Sequence, residues 1–151
     1  SDKTGEFYIC HNYGINGETS SDLLRRSWHI LKSNPAAKIC LLMIGTNDTK
    51  KPMPLDIYAD NIRQIISSIR ANGKTPIVAT LPVLNFSPYY MFNRDYIDRY
   101  NLVINDLSTK MNFKVCKMDN LEEYLIDGVH FTHEGYNEVA KKWAKTILSL
   151  K

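Results

Sequence analysis

The sequence predicts an α/β fold, a three-layer α/β/α sandwich built around a parallel sheet, and three observations predict it. Short β-branched or apolar runs alternate along the chain with longer amphipathic ones. The short runs are nearly continuously apolar, as strands covered on both faces must be. Turn residues mark each change from one kind of run to the other, which is the order expected of repeated βαβ units.

The predicted strands cover residues 7–11, 38–44, 75–81 and 113–118, each bounded by turn or polar residues. A first helix is expected over 21–32, with Ser20 or Ser21 as its N-cap and Leu23, Leu24, Trp28 and Leu31 on its inner face. A second, over 54–71, opens with Pro54 and stops at Asn72-Gly73, a helix-ending signal. Its expected buried stripe is Ile57, Ile62, Ile65, Ile66 and Ile69. A third helix is expected over 94–111 and a fourth over 134–150, the fourth turning Val139, Trp143, Ile147 and Leu148 inward. No repeat, low-complexity segment or Gly/Ser/Pro-rich linker divides the chain, so residues 1–151 read as one domain.

Composition narrows the function classes. At 151 residues, 44% hydrophobic and 23% charged, the chain can bury a core without disulfides or a structural metal. Its longest wholly apolar run, Ile39 to Ile44, falls far short of the roughly 18 residues a membrane span needs. Nineteen Lys and Arg against sixteen Asp and Glu leave +3, and the basic residues are scattered, so no nucleic-acid surface is expected. Cys10, Cys40 and Cys116 each fall in an apolar run and read as small buried hydrophobes, which favours a reducing, cytoplasmic setting. The chain opens with Ser-Asp-Lys, without a visible signal peptide.

Three segments hold the chemistry. Asn12-Tyr13-Gly14-Ile15-Asn16-Gly17-Glu18-Thr19-Ser20 is a glycine-containing turn running into a helix, where backbone N–H groups can face a developing negative charge. The same glycines also suit a plain tight turn. Gly45-Thr46-Asn47-Asp48 follows the second strand and presents the Asn47 amide at its carboxyl end, although Asn-Asp at a strand end is also common loop chemistry, bonding nearby backbone. In Asp127-Gly128-Val129-His130, an Asp three residues before a His can hold Nδ1–H and leave Nε2 as a base. A metal reading of His130 and His133 would have to recruit Asp48 from afar, because no Cys or further His lies near; no metal or other cofactor is expected. His133 reads instead as a helix-start residue. The irregular stretch 82–93 gathers Phe86, Tyr89, Tyr90, Met91 and Phe92, and loops at the carboxyl ends of parallel strands line pockets. Tyr90 and Phe92 are therefore candidate substrate contacts, with a core cap or a subunit interface as the competing reading.

From about Cys10 to the C-terminus, in this order and on these loops, Asn12-x-Gly14-Ile15-x-Gly17-Glu18-Thr19, Gly45-x-Asn47-Asp48 and Asp127-x-x-His130 resemble the SGNH hydrolases, also called the GDSL esterase and lipase family. The resemblance implies a flavodoxin-like sheet and a serine nucleophile that cleaves or transfers acyl groups of small-molecule, lipid or carbohydrate esters without a metal. It implies that the backbone N–H of Gly17 and the side-chain amide of Asn47 form the oxyanion hole, that His130 is the general base, and that Asp127 orients it.

One departure stands out. The family's first block, a strand ending in Gly-Asp-Ser, should precede Asn12, and the chain contains no Gly-Asp-Ser. In the resembled fold that strand lies inside the sheet, next to the strands ending at His11 and Ile44. Strands bond only at about 4.8 Å spacing, so its neighbours cannot close the gap. The expectation is an N-terminally incomplete hydrolase whose serine lies upstream of Ser1, or complementation by a strand from another chain. A non-catalytic binding module that keeps the pocket is the alternative, and a phosphate-binding module built on the Gly14–Gly17 turn is a third.

Overall fold

The computed structural model describes residues 18–82, 93–125 and 131–150. The predicted strand over 7–11, the predicted site residues Gly17, Tyr90, Phe92, Asp127 and His130, and Cys10 lie outside the described residues.

Helix α1 (Ser20–Ser33) leads into strand β1 (Ile39–Leu42), and α2 (Leu55–Ala71) then connects to β2 (Thr75–Ala79). Next, α3 (Arg94–Met111) connects to β3 (Lys114–Cys116), and α4 (His133–Leu148) closes the order. The three strands pair in parallel in the order β1-β2-β3, with Ile39 beside Thr75 and Ile77 beside Lys114. Successive neighbours in one direction require crossovers of one hand, which puts α2 and α3 on the same face.

That face holds the larger core. Tyr58, Ile62, Ile65, Ile66 and Ile69 of α2 and Ile97, Tyr100, Ile104 and Leu107 of α3 are buried there against Leu42 and Val78 of the sheet. Alternation along β2 turns Ile77 and Ala79 to the other face, where they meet Cys116 and Met118 under Val139, Trp143 and Ile147 of α4. The protein is thus an α/β sandwich with helices on both faces of a parallel sheet. None of its described helices is long and apolar enough to cross a membrane.

Among the described residues β1 is an edge strand, paired with β2 alone. Leu41 and Met43, which follow Ile39 at period two, remain 39% and 43% exposed, because α4 covers β3 and β2 without reaching them. This is the strand beside which the resemblance would set an additional one.

Several local expectations are corrected. The N-cap of α1 is Thr19, which accepts from the Asp22 N–H while Asp22 accepts from the Thr19 N–H. That reciprocal capping box needs an acidic residue three positions on, which Asp22 supplies. Ser20 is instead the first helical residue, freed for another partner. Trp28, Ile57 and Leu148 are exposed rather than turned into the core. The apolar stripe of each helix is wider than the face its neighbours cover, and Trp28 lies under the Lys32 ammonium. Cys116 is buried, whereas Cys40 on β1 is half-buried.

Gly45, just past β1, has φ +139°, and a Cβ there would lie 2.6 Å from Tyr58 Oη and 2.8 Å from its ring. The Tyr58 hydroxyl donates to the Ile44 carbonyl at 2.6 Å, so it cannot withdraw cheaply. Gly45→Ala therefore combines backbone strain with overpacking and should cost about 3 kcal/mol. The melting temperature should fall by roughly 10 °C, read by circular dichroism, and a fall under about 2 °C would refute the close approach.

Candidate functional site

The site is built on the short 3₁₀ turn Asn47–Thr49, which leaves the carboxyl end of β1 through Gly45. Its three consecutive side chains reach three different places. Asn47 Nδ2 donates to the Glu18 carbonyl at 3.2 Å, across 29 residues of chain. Asp48 is only 2% exposed; its Oδ1 accepts the Ser20 N–H at 2.8 Å and its Oδ2 accepts the Ser20 hydroxyl at 2.5 Å. Thr49 Oγ1 accepts the Asn93 N–H at 3.1 Å. The competing reading of Asn47 and Asp48, as loop side chains bonding nearby backbone, does not describe these bonds, because both side chains reach the distant start of α1. An orphan N–H in a helix's first turn, with the helix dipole behind it, is a better partner for a carboxylate than a loop amide.

A second layer holds this turn. Asn61 of α2 donates to Ser20 Oγ and to Ser21 Oγ, each at 3.0 Å. Tyr100 donates to the Met53 carbonyl at 2.8 Å, and its ring stacks on Tyr58 with centroids 4.1 Å apart. Burial pushes the Tyr100 phenol up to about 12, with Asp48 adding to the effect, and raises Tyr58 well above its ordinary value. Both hydroxyls therefore act as donors throughout the neutral range. Burial also raises the Asp48 carboxyl, against the opposing pull of its Ser20 hydrogen bonds. Beside the turn, buried Glu18 pairs with Arg26 through both guanidinium donors, Nη2 reaching Oε1 at 2.7 Å.

The flanks of the remaining segments are tied to the same end of the sheet. Past β2, Asn101 of α3 clasps Leu81, accepting its N–H at 2.7 Å and donating to its carbonyl at 3.0 Å. Asn93, at the far end of the 83–92 stretch, caps α3 through the Tyr96 N–H and is anchored to Thr49. Past β3, Leu125 bridges Phe131 and the Thr132 N–H donates to the Tyr124 carbonyl at 2.7 Å. Residues on either side of 126–130 are therefore joined. Thr132 caps α4, which begins at His133, the helix-start position the sequence suggested. Among the described residues no three His, Cys, Asp or Glu side chains converge to hold a metal.

Of the predicted site residues the described structure places Asn47, whose amide meets the chain directly after Gly17. The roles of Asp48, Ser20 and Asn61 were missed. A signal existed for Asn61, an amide set three and four residues from Tyr58 and Ile65 on the buried stripe of α2.

The sequence pattern of the GDSL-like lipase/acylhydrolase family matches residues 3–137. The chain belongs to this family. Solved GDSL-type structures share its fold: a GDSL-like lipase from Bacteroides thetaiotaomicron superposes with TM-score 0.79 at 20% identity, covering 91% of this chain and 75% of that one. A lipase/acylhydrolase from Enterococcus faecalis gives 0.76 at 19%, covering 87% and 71%. A catalytic mutant of an acetylxylan esterase from Geobacillus stearothermophilus gives 0.74 at 22%, covering 90% and 70%. No curated protein matches the chain. In this GDSL-family chain the Gly45-x-Asn47-Asp48 block thus sits at the carboxyl end of β1, against Glu18 and the start of α1.

Proposed function

We propose that this GDSL-family protein is a serine-dependent carboxylic-ester hydrolase acting on small-molecule, lipid or carbohydrate esters. The observation that carries the reading is the hydrogen bond from Asn47 Nδ2 to the Glu18 carbonyl, since it sets one proposed oxyanion donor beside the residue that follows the other, Gly17. His130 Nε2 takes the serine proton as Oγ attacks the acyl carbon, and Asp127 holds Nδ1–H. The carbonyl oxygen becomes an oxyanion facing the Gly17 N–H and the second amide proton of Asn47. His130 then returns the proton to the departing alkoxide, and water repeats the sequence on the acyl-enzyme. Tyr90 and Phe92 line the acyl or alcohol side.

The nucleophile belongs to a Gly-Asp-Ser strand upstream of Ser1 that adds to the edge of β1 opposite β2, which has no partner among the described residues. Exposed Leu41 and Met43 support that placement, since an added strand brings with it the connection that would cover them. The absence of Gly-Asp-Ser within the 151 residues favours a second reading, a binding module without a nucleophile. A fluorophosphonate probe decides between them, applied to the protein expressed from its whole reading frame. Labelling of a single serine, with hydrolysis of p-nitrophenyl acetate, is the expected result. Failure of both would leave the binding module.

A further inference from the structure

We infer that Asp48 is a positioning residue which, through Ser20, holds the start of α1 against the 47–49 turn and so fixes the spacing between the Asn47 amide and the chain that follows Gly17. The inference rests on the oxyanion role proposed above for these two donors.

The geometry is a two-point grip. Asn47 and Asp48 are consecutive, and they hold residues 18 and 20, which lie two apart on the opposing chain. One bond alone would leave the two segments free to pivot about it. Two bonds from neighbouring side chains, one given and one received, set both distance and direction. Ser20 is bound twice, by backbone and by hydroxyl, so both carboxylate oxygens of Asp48 are committed to one residue. Asn61 completes the polarity of the chain: its amide donates to Ser20 Oγ, which leaves that hydroxyl's proton for Asp48. Flipping the Asn61 amide would set acceptor against acceptor, and turning the Ser20 proton toward Asn61 would set donor against donor.

The choice of an acid at this place is costly for stability alone. Among the described residues no cation pairs with Asp48, and a buried carboxylate compensated only by hydrogen bonds carries a desolvation penalty that a neutral residue avoids. In return, charge-assisted bonds are shorter and stiffer than neutral ones, which matters where a donor must be held at a fixed spacing from a reacting oxygen.

The test follows the Asn47 side-chain amide in ¹H–¹⁵N spectra of the ¹⁵N-labelled protein from the whole reading frame, the pair being assigned by its loss in Asn47→Ala. Asp48→Asn keeps the shape and removes the charge; Ser20→Ala removes the hydroxyl alone and serves if the first variant does not fold. Leu107→Ala, in the core of α3, is the control for general loosening. In Asp48→Asn and Ser20→Ala the two amide protons should move together in shift and exchange with solvent at least about tenfold faster, and kcat for p-nitrophenyl acetate should fall up to about 10²-fold with KM unchanged. Leu107→Ala should lower the melting temperature and leave the Asn47 pair in place. An unmoved Asn47 pair in folded Asp48→Asn or Ser20→Ala overturns the inference, as does an equal disturbance in Leu107→Ala. A protein that moves its Asn47 pair as expected but neither hydrolyses the ester nor reacts with a fluorophosphonate retains the grip and overturns the hydrolase reading instead.

Discussion

His130→Ala should lower kcat for p-nitrophenyl acetate by about 10⁴-fold or more in the protein expressed from its whole reading frame. Without the imidazole the attacking serine keeps its proton near neutral pH, and the leaving alkoxide has no proton to take. Asp127→Asn should be almost as damaging, because a carboxamide can donate toward Nδ1 and select the tautomer that carries its proton on Nε2, so the base is blocked. Neither change removes an oxyanion donor, so residual turnover above the uncatalysed rate should survive in both. Steady-state kinetics beside thermal melts separate this outcome from misfolding. Undiminished turnover in folded His130→Ala would remove His130 from the mechanism, and with it the strongest member of the proposed set.

Asn47→Ala is the second large effect. A single preorganised donor to an oxyanion is worth roughly 10²–10³ in kcat, and because the contact tightens only as charge develops, KM should change little. The structural cost should be small by comparison. One amide bond to the Glu18 carbonyl is lost, a loss of about 1 kcal/mol that should lower the melting temperature by only about 3 °C. A variant that melts far lower yet turns over ester at the normal rate would show that Asn47 serves as a strut and nothing more. Gly45→Ala, two residues away, makes the useful contrast: its effect should fall first on stability, through the Tyr58 ring, and only then on rate.

Much of this was written locally. The strands centred on Ile39–Leu42, Thr75–Ala79 and Lys114–Cys116, and the four helices before, between and after them, follow from apolar periodicity and from turn residues, which act within a few positions of themselves. The parallel pairing followed too, since helices between strands leave the chain few other ways to connect. The place of Asn47 at the carboxyl end of the first described strand was equally legible, because Gly45 lets the chain turn there.

Tertiary packing decided the rest. Which apolar residues are buried was misjudged at Trp28, Ile57 and Leu148, since a helix's own pattern says where its greasy face is and not how much of that face a neighbour reaches. The partners of Asn47 and Asp48 could not be read from their surroundings in the chain, because they lie 29 and 28 residues back, at Glu18 and Ser20. A short polar side chain satisfies itself locally unless the fold offers a stronger acceptor or donor. Here the first turn of α1, with its unpaired amides and positive end, is brought against β1's exit only when α1 and α2 pack on one face of the sheet. The sequence by itself therefore determined the elements, their order and the residue types at the site. The tertiary structure alone decided which of those residues grip one another, because burial and long-range hydrogen bonds depend on what the fold brings near, and periodicity carries no record of that.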